Sequence, residues 1–243
     1  MKKTILPIMI LAFVAPAAFA ITGREIMEKN DKLPSSSASI QESLLVIQKG
    51  KAVEKKEFTS VSKKYGKNTR TKITFTSPTR MGFLIYDEAG KDSTQWIKLT
   101  SGKVRQIASS DKGKEWMNSH FYNEDIGDKD IDTYTYKLIG EGKSGEFEIY
   151  KVSAVKKVGD KVYSQGIFYM DKKDFIPRQI DLYENGRHTK TLYFEKYEKI
   201  SGIWTPRKLK MTRTDGKGTS LLYIKLVKHN QSVNDAELKK ENF

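Results

Sequence analysis

From Ser39 to Asn230, outside one central stretch, short segments alternate apolar and polar side chains with a period of two, and glycine-bearing turns separate them. This is the pattern of half-buried strands, whose successive side chains point to opposite faces of a sheet. "TRTKITFTSP" places Ile73 and Phe75 on one face, and "RMGFLIYDEAGKDSTQWIKLTSGKVRQI" continues the habit, turning near Gly90 and at Ser101-Gly102. Further turns fall near Gly50, between Gly142 and Gly145, and at Asp215-Gly216. Asn185-Gly186 is the strongest hairpin signal, because both residues tolerate positive φ. The expected fold is mainly β: one antiparallel, meandering sheet of about eleven strands. Twist curls so large a sheet toward an incomplete barrel. Its concave apolar face then needs covering by side chains, a helix or a ligand.

Helices are scarce. "TGREIMEKND" reads as one, with Thr22 as its cap, Glu25 at capping-box spacing, and Ile26 and Met27 on its apolar face. "NDAELKKE" near the end is a second short candidate. The stretch from Ala108 to Asp130 breaks the alternation and exceeds an ordinary hairpin loop. It crowds Trp116, Met117, Phe121, Tyr122 and Ile126 among charges. So few helices over so large a face point to short lids above a cavity.

Residues 1–20 carry Lys2 and Lys3, an apolar run from Leu6 to Phe13, and "APAAFA". This is the pattern of a secretory leader cleaved after Ala20. The expected organisation is a leader over 1–20 and one domain over 21–243. The chain has no cysteine, so disulfides, thiol chemistry and lipidation at a leader cysteine are excluded. The formal charge is +14, or +12 without Lys2 and Lys3. That balance favours anionic partners such as membrane surfaces, and export argues against nucleic acid.

Catalytic motifs are missing. His120, His188 and His229 show no metal spacing, and only His120, in the irregular stretch, invites suspicion. No serine sits in a GxSxG elbow, and "GKSG" lacks the upstream glycine of a P-loop. Glu124, Asp125, Asp128, Asp130 and Asp132 lack the spacing of a calcium loop and read as a capping or salt-bridging segment. No enzyme, metal or cofactor is expected.

The order of "TGREIMEKND", "GFLIYDE", "QWIKLTSGKVRQIASSDKGKEWMNSHFYNEDI", "DTYTYKLIGE", "YMDKKDFIPRQIDLYENG" and "IWTPRKLKM" resembles the outer-membrane lipoprotein-sorting proteins, relatives of the LolA carrier. The likeness runs across nearly all of the mature chain. It departs at Asn118, where members commonly have glycine, and at His120, where they commonly have an acid. The resemblance implies a half-open barrel with helices lidding its concave apolar face. It further implies a soluble, non-lipidated periplasmic carrier that takes an acyl chain of a lipid or lipoprotein between membranes. The alternative is a non-catalytic accessory or scaffold protein of an envelope transport complex. Expected partners are the acyl chain, an inner-membrane lipid or lipoprotein transporter, and transient contact with an anionic membrane surface.

Under that resemblance, alternation nominates the cavity lining: Ile73, Phe75, Met81, Phe83, Ile85, Ile97, Leu99, Phe168, Met170, Ile180, Leu182, Leu209, Met211, Leu222 and Ile224. Trp116, Met117 and Phe121 are the expected lid, and methionine suits a variable ligand because it repacks easily. Arg105, Lys112 and Lys114 beside them are the expected contacts to an anionic headgroup or partner.

Overall fold

The computed structural model describes residues 21–157 and 162–243; the expected leader, 1–20, lies outside the described residues. A single helix, α1 (Gly23–Asp31), precedes thirteen strands. The first six are β1 (Ala38–Lys49), β2 (Ala52–Tyr65), β3 (Asn68–Ser77), β4 (Met81–Asp87), β5 (Thr94–Lys98) and β6 (Val104–Gln106). After the irregular stretch come β7 (Tyr134–Ser144), β8 (Phe147–Lys156), β9 (Gln165–Asp171), β10 (Pro177–Glu184), β11 (Arg187–Ile200), β12 (Ile203–Arg213) and β13 (Thr219–His229). The count exceeds the expected eleven, while the turns expected near Gly90 and at Ser101-Gly102 do separate β4, β5 and β6. Asn185 and Gly186 both take positive φ, 49° and 76°, at the β10–β11 turn.

All strands join one antiparallel sheet in the order β6-β5-β4-β3-β2-β1-β13-β12-β11-β10-β9-β8-β7. It consists of two meanders fused through the pairing of the first strand with the last, for example Leu45 opposite Leu222 and Ile47 opposite Ser220. The sheet does not close, so β6 and β7 are its two free edges. These edges are consecutive in sequence. The chain from Ile107 to Thr133 must therefore run from one to the other across the concave side. Register shifts at Glu42/Ser43, Glu57/Phe58, Leu138/Gly140, Pro177/Gln179 and Leu182/Tyr183 bend the strands locally.

Helix α1 starts as its sequence requires. The Glu25 backbone N–H donates to Thr22 Oγ1 at 3.2 Å, and the Thr22 N–H donates to Glu25 Oε2 at 2.7 Å. Ile26 and Met27 are buried against Val152 and Met170, flanked by Leu138, Tyr150 and Phe168. The helix thus covers the end of the sheet built by β7, β8 and β9. The C-terminal candidate helix folds instead as two 3-10 turns, Asp235–Leu238 and Lys240–Asn242. It covers the outer face, not the concave one. Leu238 and Val233 are buried with Ala38 against Ile40 and Val61, and the Tyr86 hydroxyl donates to the Leu238 carbonyl at 2.8 Å. Tyr86 alternates with Phe83 and Ile85, which face the interior.

The approach of α1 to β7 needs Gly23. A Cβ there falls 2.6 Å from the Leu138 backbone nitrogen and 2.7 Å from the Lys137 carbonyl carbon, atoms that cannot step aside. We expect Gly23→Ala to destabilise the domain by about 1–3 kcal/mol, read as a lowered urea midpoint. A neutral Gly50→Ala at an open turn is the wrong control because Gly50 has φ 59°; Thr76→Ala, exposed at the end of β3, supplies the baseline.

Candidate functional site

The irregular stretch is a stopper for the half-barrel. Trp116 is buried, its ring centroid 5.8, 5.3 and 5.8 Å from those of Phe58, Phe75 and Phe83. Phe121 is buried in the same cluster and Met117 packs at its margin. The Trp116 N–H donates to the Phe121 carbonyl at 2.8 Å, and Ser119 Oγ donates to the Trp116 carbonyl at 2.6 Å. This tight loop forces two successive non-glycine residues to positive φ, Met117 at 54° and Asn118 at 61°. Asparagine adopts that region more readily than most residues. Its side chain is also held, accepting from Lys49 Nζ at 2.9 Å and donating to Glu54 at 2.9 Å.

Most of the expected lining belongs to this one cluster. Ile73, Phe75, Phe83, Ile85, Leu182 and Met211 are buried in it, and Met81, Ile97, Ile180, Leu209 and Leu222 pack against it. Met170 and Phe168 lie instead under α1. Ile224 is buried outside either group, and Leu99 sits in the β5–β6 turn, its N–H on the Lys103 carbonyl. The register read from alternation is therefore right for the inner face. None of the fifteen residues borders the open cleft described below, and Trp116 and Phe121 pack within the inner-face cluster itself. The expected headgroup cations are dispersed. Lys112 is buried and donates to the Ser93 carbonyl at 2.6 Å; Lys114 pairs with Asp111 at 2.7 Å; Arg105 is exposed on the edge strand β6.

Beneath the stopper lies a buried polar network. Lys190 is fully buried, donates to the His120 carbonyl at 2.8 Å, and sits 2.8 Å from the centre of the Tyr122 ring. Burial pulls its ammonium down to about 8, against the opposing pull of Asp125 and Glu184. The Asp125 carboxylate accepts from the Tyr122 N–H at 2.7 Å and the Tyr163 hydroxyl at 3.0 Å, and burial raises its pKa. His120 Nδ1 shares a hydrogen bond with Ser220 Oγ at 2.8 Å, and burial lowers its pKa, keeping the ring neutral. Ser220 Oγ also accepts the His120 backbone N–H at 3.0 Å. These groups anchor the stretch to β11 and β13, and His120 has no open site in front of it. Among the described residues no cluster of three histidine or carboxylate side chains could hold a metal.

Open space exists elsewhere. A cleft of about 990 Å³ lies between the end of α1, the β2–β3 turn, residues 128–132 and strands β10 to β12. Leu33, Ile131, Ile176, Phe194, Tyr197 and Trp204 give it an apolar, aromatic side. Tyr197 and Trp204 meet edge to face at 6.3 Å, and the Tyr197 hydroxyl donates to the Pro177 carbonyl at 2.9 Å. Charged residues surround the mouth, among them Arg24, Glu28, Lys32, Lys64, Lys67 and Asp132. Sequence reasoning missed this site. Its walls come from turns and from strand ends beyond the inner-face cluster, where alternation carries no signal.

Comparison with known proteins follows from this geometry. A family described only as "Uncharacterized protein" matches residues 67–243. No curated protein matches the chain. Among solved structures, a DUF1329 family protein from Desulfovibrio piger is 26% identical, with a TM-score of 0.86 over 90% of this chain and 96% of that one. A domain from Vibrio parahaemolyticus named for outer membrane lipoprotein sorting is 20% identical, with a TM-score of 0.85 over 90% and 97%. A LolA superfamily protein from Nitrosomonas europaea is 17% identical, with a TM-score of 0.74 over 92% and 100%. The chain thus has the fold of the lipoprotein-sorting proteins its sequence resembles. Among the described residues no helix is long and apolar enough to cross a membrane.

The Lys190 network sets a pH dependence. Between pH 8 and 10 the unfolded chain holds the Lys190 proton while the folded chain releases it, so stability rises with pH in that window. The buried tyrosines oppose this as pH nears 10, because their unfolded forms lose protons there while Tyr122, held at about 12, and its raised neighbour Tyr163 keep theirs. We expect the urea midpoint to increase from pH 8 to about 9 and Lys190→Met to flatten that increase. An equal slope in both proteins refutes the assignment.

Proposed function

This chain belongs to the family matched over residues 67–243, and from that footing we propose that it is a periplasmic, non-enzymatic carrier of an acyl-bearing amphiphile. One observation carries the reading: an open antiparallel half-barrel of the lipoprotein-sorting fold with a large cleft at the end of α1, aromatic inside and charged at its mouth. Sites for small molecules run to roughly 300–1,000 Å³ and combine an apolar body with a few placed polar groups. In this reading the acyl chain lies against Ile176, Phe194, Tyr197 and Trp204 while its polar end stays at the mouth. Each methylene removed from water contributes about 0.8 kcal/mol, so a chain of about sixteen carbons gains of order 10 kcal/mol before ordering costs. The carrier passes its cargo between membranes, meeting an inner-membrane transporter and an anionic lipid surface.

The filled inner face favours a second reading, an accessory or scaffold protein of an envelope complex that holds no lipid. Native mass spectrometry of protein purified from the periplasm separates the two. Carriage predicts an acyl-bearing adduct at one per chain. Trp204→Asp is expected to lower affinity for added single-chain lipid at least about tenfold while circular dichroism stays unchanged. A bare mass, together with no uptake of added lipids, supports the accessory role.

A further inference from the structure

Six cationic side chains border the cleft, and they are not equivalent. Arg24 is held by Glu28 and Asp132, Lys91 by Glu88 and Lys129 by Glu124. Lys32, Lys64 and Lys67 form no ion pair among the described residues. They lie on one wall, the end of α1 and the β2–β3 turn. That wall is fixed: the Lys64 N–H donates to the Ser37 carbonyl at 2.8 Å, and Lys64 Nζ donates to Ser35 Oγ at 2.8 Å. Leu33 and Pro34 lie between Lys32 and Ser35 and line the same cleft, so the cationic wall adjoins apolar surface.

The carboxylates of the cleft are largely engaged. Glu28, Glu88 and Asp132 are paired as above. Asp130 accepts the backbone N–H groups of Gly90 and Asp132, each at 2.8 Å, and the buried Asp87 accepts that of Asp128 at 3.0 Å. Asp31, Asp128 and the buried Oδ1 of Asp87 are the exceptions. An ammonium-bearing ligand therefore finds few open acceptors, whereas an anion finds three unpaired ammonium groups.

Resting on the carrier reading above, we propose that the cleft selects an anionic amphiphile, its phosphate or carboxylate headgroup held by Lys32, Lys64 and Lys67 and its chain against Phe194, Tyr197 and Trp204. This locates the headgroup site at the end of α1, away from Arg105, Lys112 and Lys114.

Isothermal titration of the mature protein below the micellar concentration tests it with three probes. They are lysophosphatidylglycerol, lysophosphatidylcholine of the same chain length, and inorganic phosphate. The expected result is at least roughly tenfold tighter binding of the anionic lysolipid than the zwitterionic one, weakening as salt rises. Lys32→Gln/Lys64→Gln/Lys67→Gln is expected to abolish that preference while zwitterionic binding stays as it was. Lys51→Gln/Lys103→Gln/Lys143→Gln, the same charge change at exposed positions off the cleft, leaves the preference intact. Equal affinity for both lysolipids in the unaltered protein overturns the headgroup inference and leaves carriage standing. Binding of neither overturns carriage as well. Phosphate bound as tightly as the anionic lysolipid makes the site one for a free anion and overturns the amphiphile.

Discussion

The pairing of β1 with β13 governs this molecule. It fuses two meanders into one sheet and sends the two middle strands, β6 and β7, to opposite edges. Strands adjacent in sequence usually pair, and among the described residues the only consecutive strands that do not are those two. Twenty-seven residues from Ile107 to Thr133 must cross the concave side to connect them. A segment laid across an apolar face either buries apolar groups there or leaves the face wet. Trp116 and Phe121 do the former, so the crossing doubles as the core of the half-barrel.

This accounts for what was legible in the sequence. Alternation gave the inner face through its period of two, and eleven of the fifteen residues it nominated fall in one cluster with Trp116 and Phe121. The helix at Thr22 was readable from its capping box, since both reciprocal bonds form. What alternation cannot report is what lies opposite a face. Beneath the expected lid the crossing segment itself places Trp116 and Phe121 among the inner-face residues. The tail at residues 233–243 failed for a related reason. Its apolar residues match either face of a sheet, and only the tertiary fold decides that Leu238 meets the outer one.

Lys190 was within reach and was not read. It stands two residues before Leu192 and four before Phe194 in a strand, so the same period that turns Leu192 inward turns Lys190 inward too. A charged residue in phase with a core stripe must find partners. Those partners, the His120 carbonyl, the Tyr122 face and Asp125, all come from the crossing segment. Lys112, conversely, reads as a headgroup contact because it lies beside the lid residues in sequence, yet it folds under the segment onto the Ser93 carbonyl. In an irregular stretch no period tells an inward lysine from an outward one.

The filled core bears on how a carrier could work. If the acyl site were the main apolar cluster, the empty protein would carry a large void, and cavities in a core cost roughly 24 cal/mol per Å³. Loading would then be coupled strongly to folding, since any ligand that binds only the folded state stabilises it by mass action. Release would require giving that stabilisation back. Separating the two spaces removes the void, and with it the share of that coupling that comes from refilling a core cavity. Trp116, Phe58, Phe75 and Phe83 hold the half-barrel together without cargo, while the cleft beside α1 stays open to solvent at its mouth. A ligand there surrenders only part of its surface, so its affinity is limited by how much of the chain the aromatic side can cover. In the carrier reading proposed above, that limit allows release without opening the core.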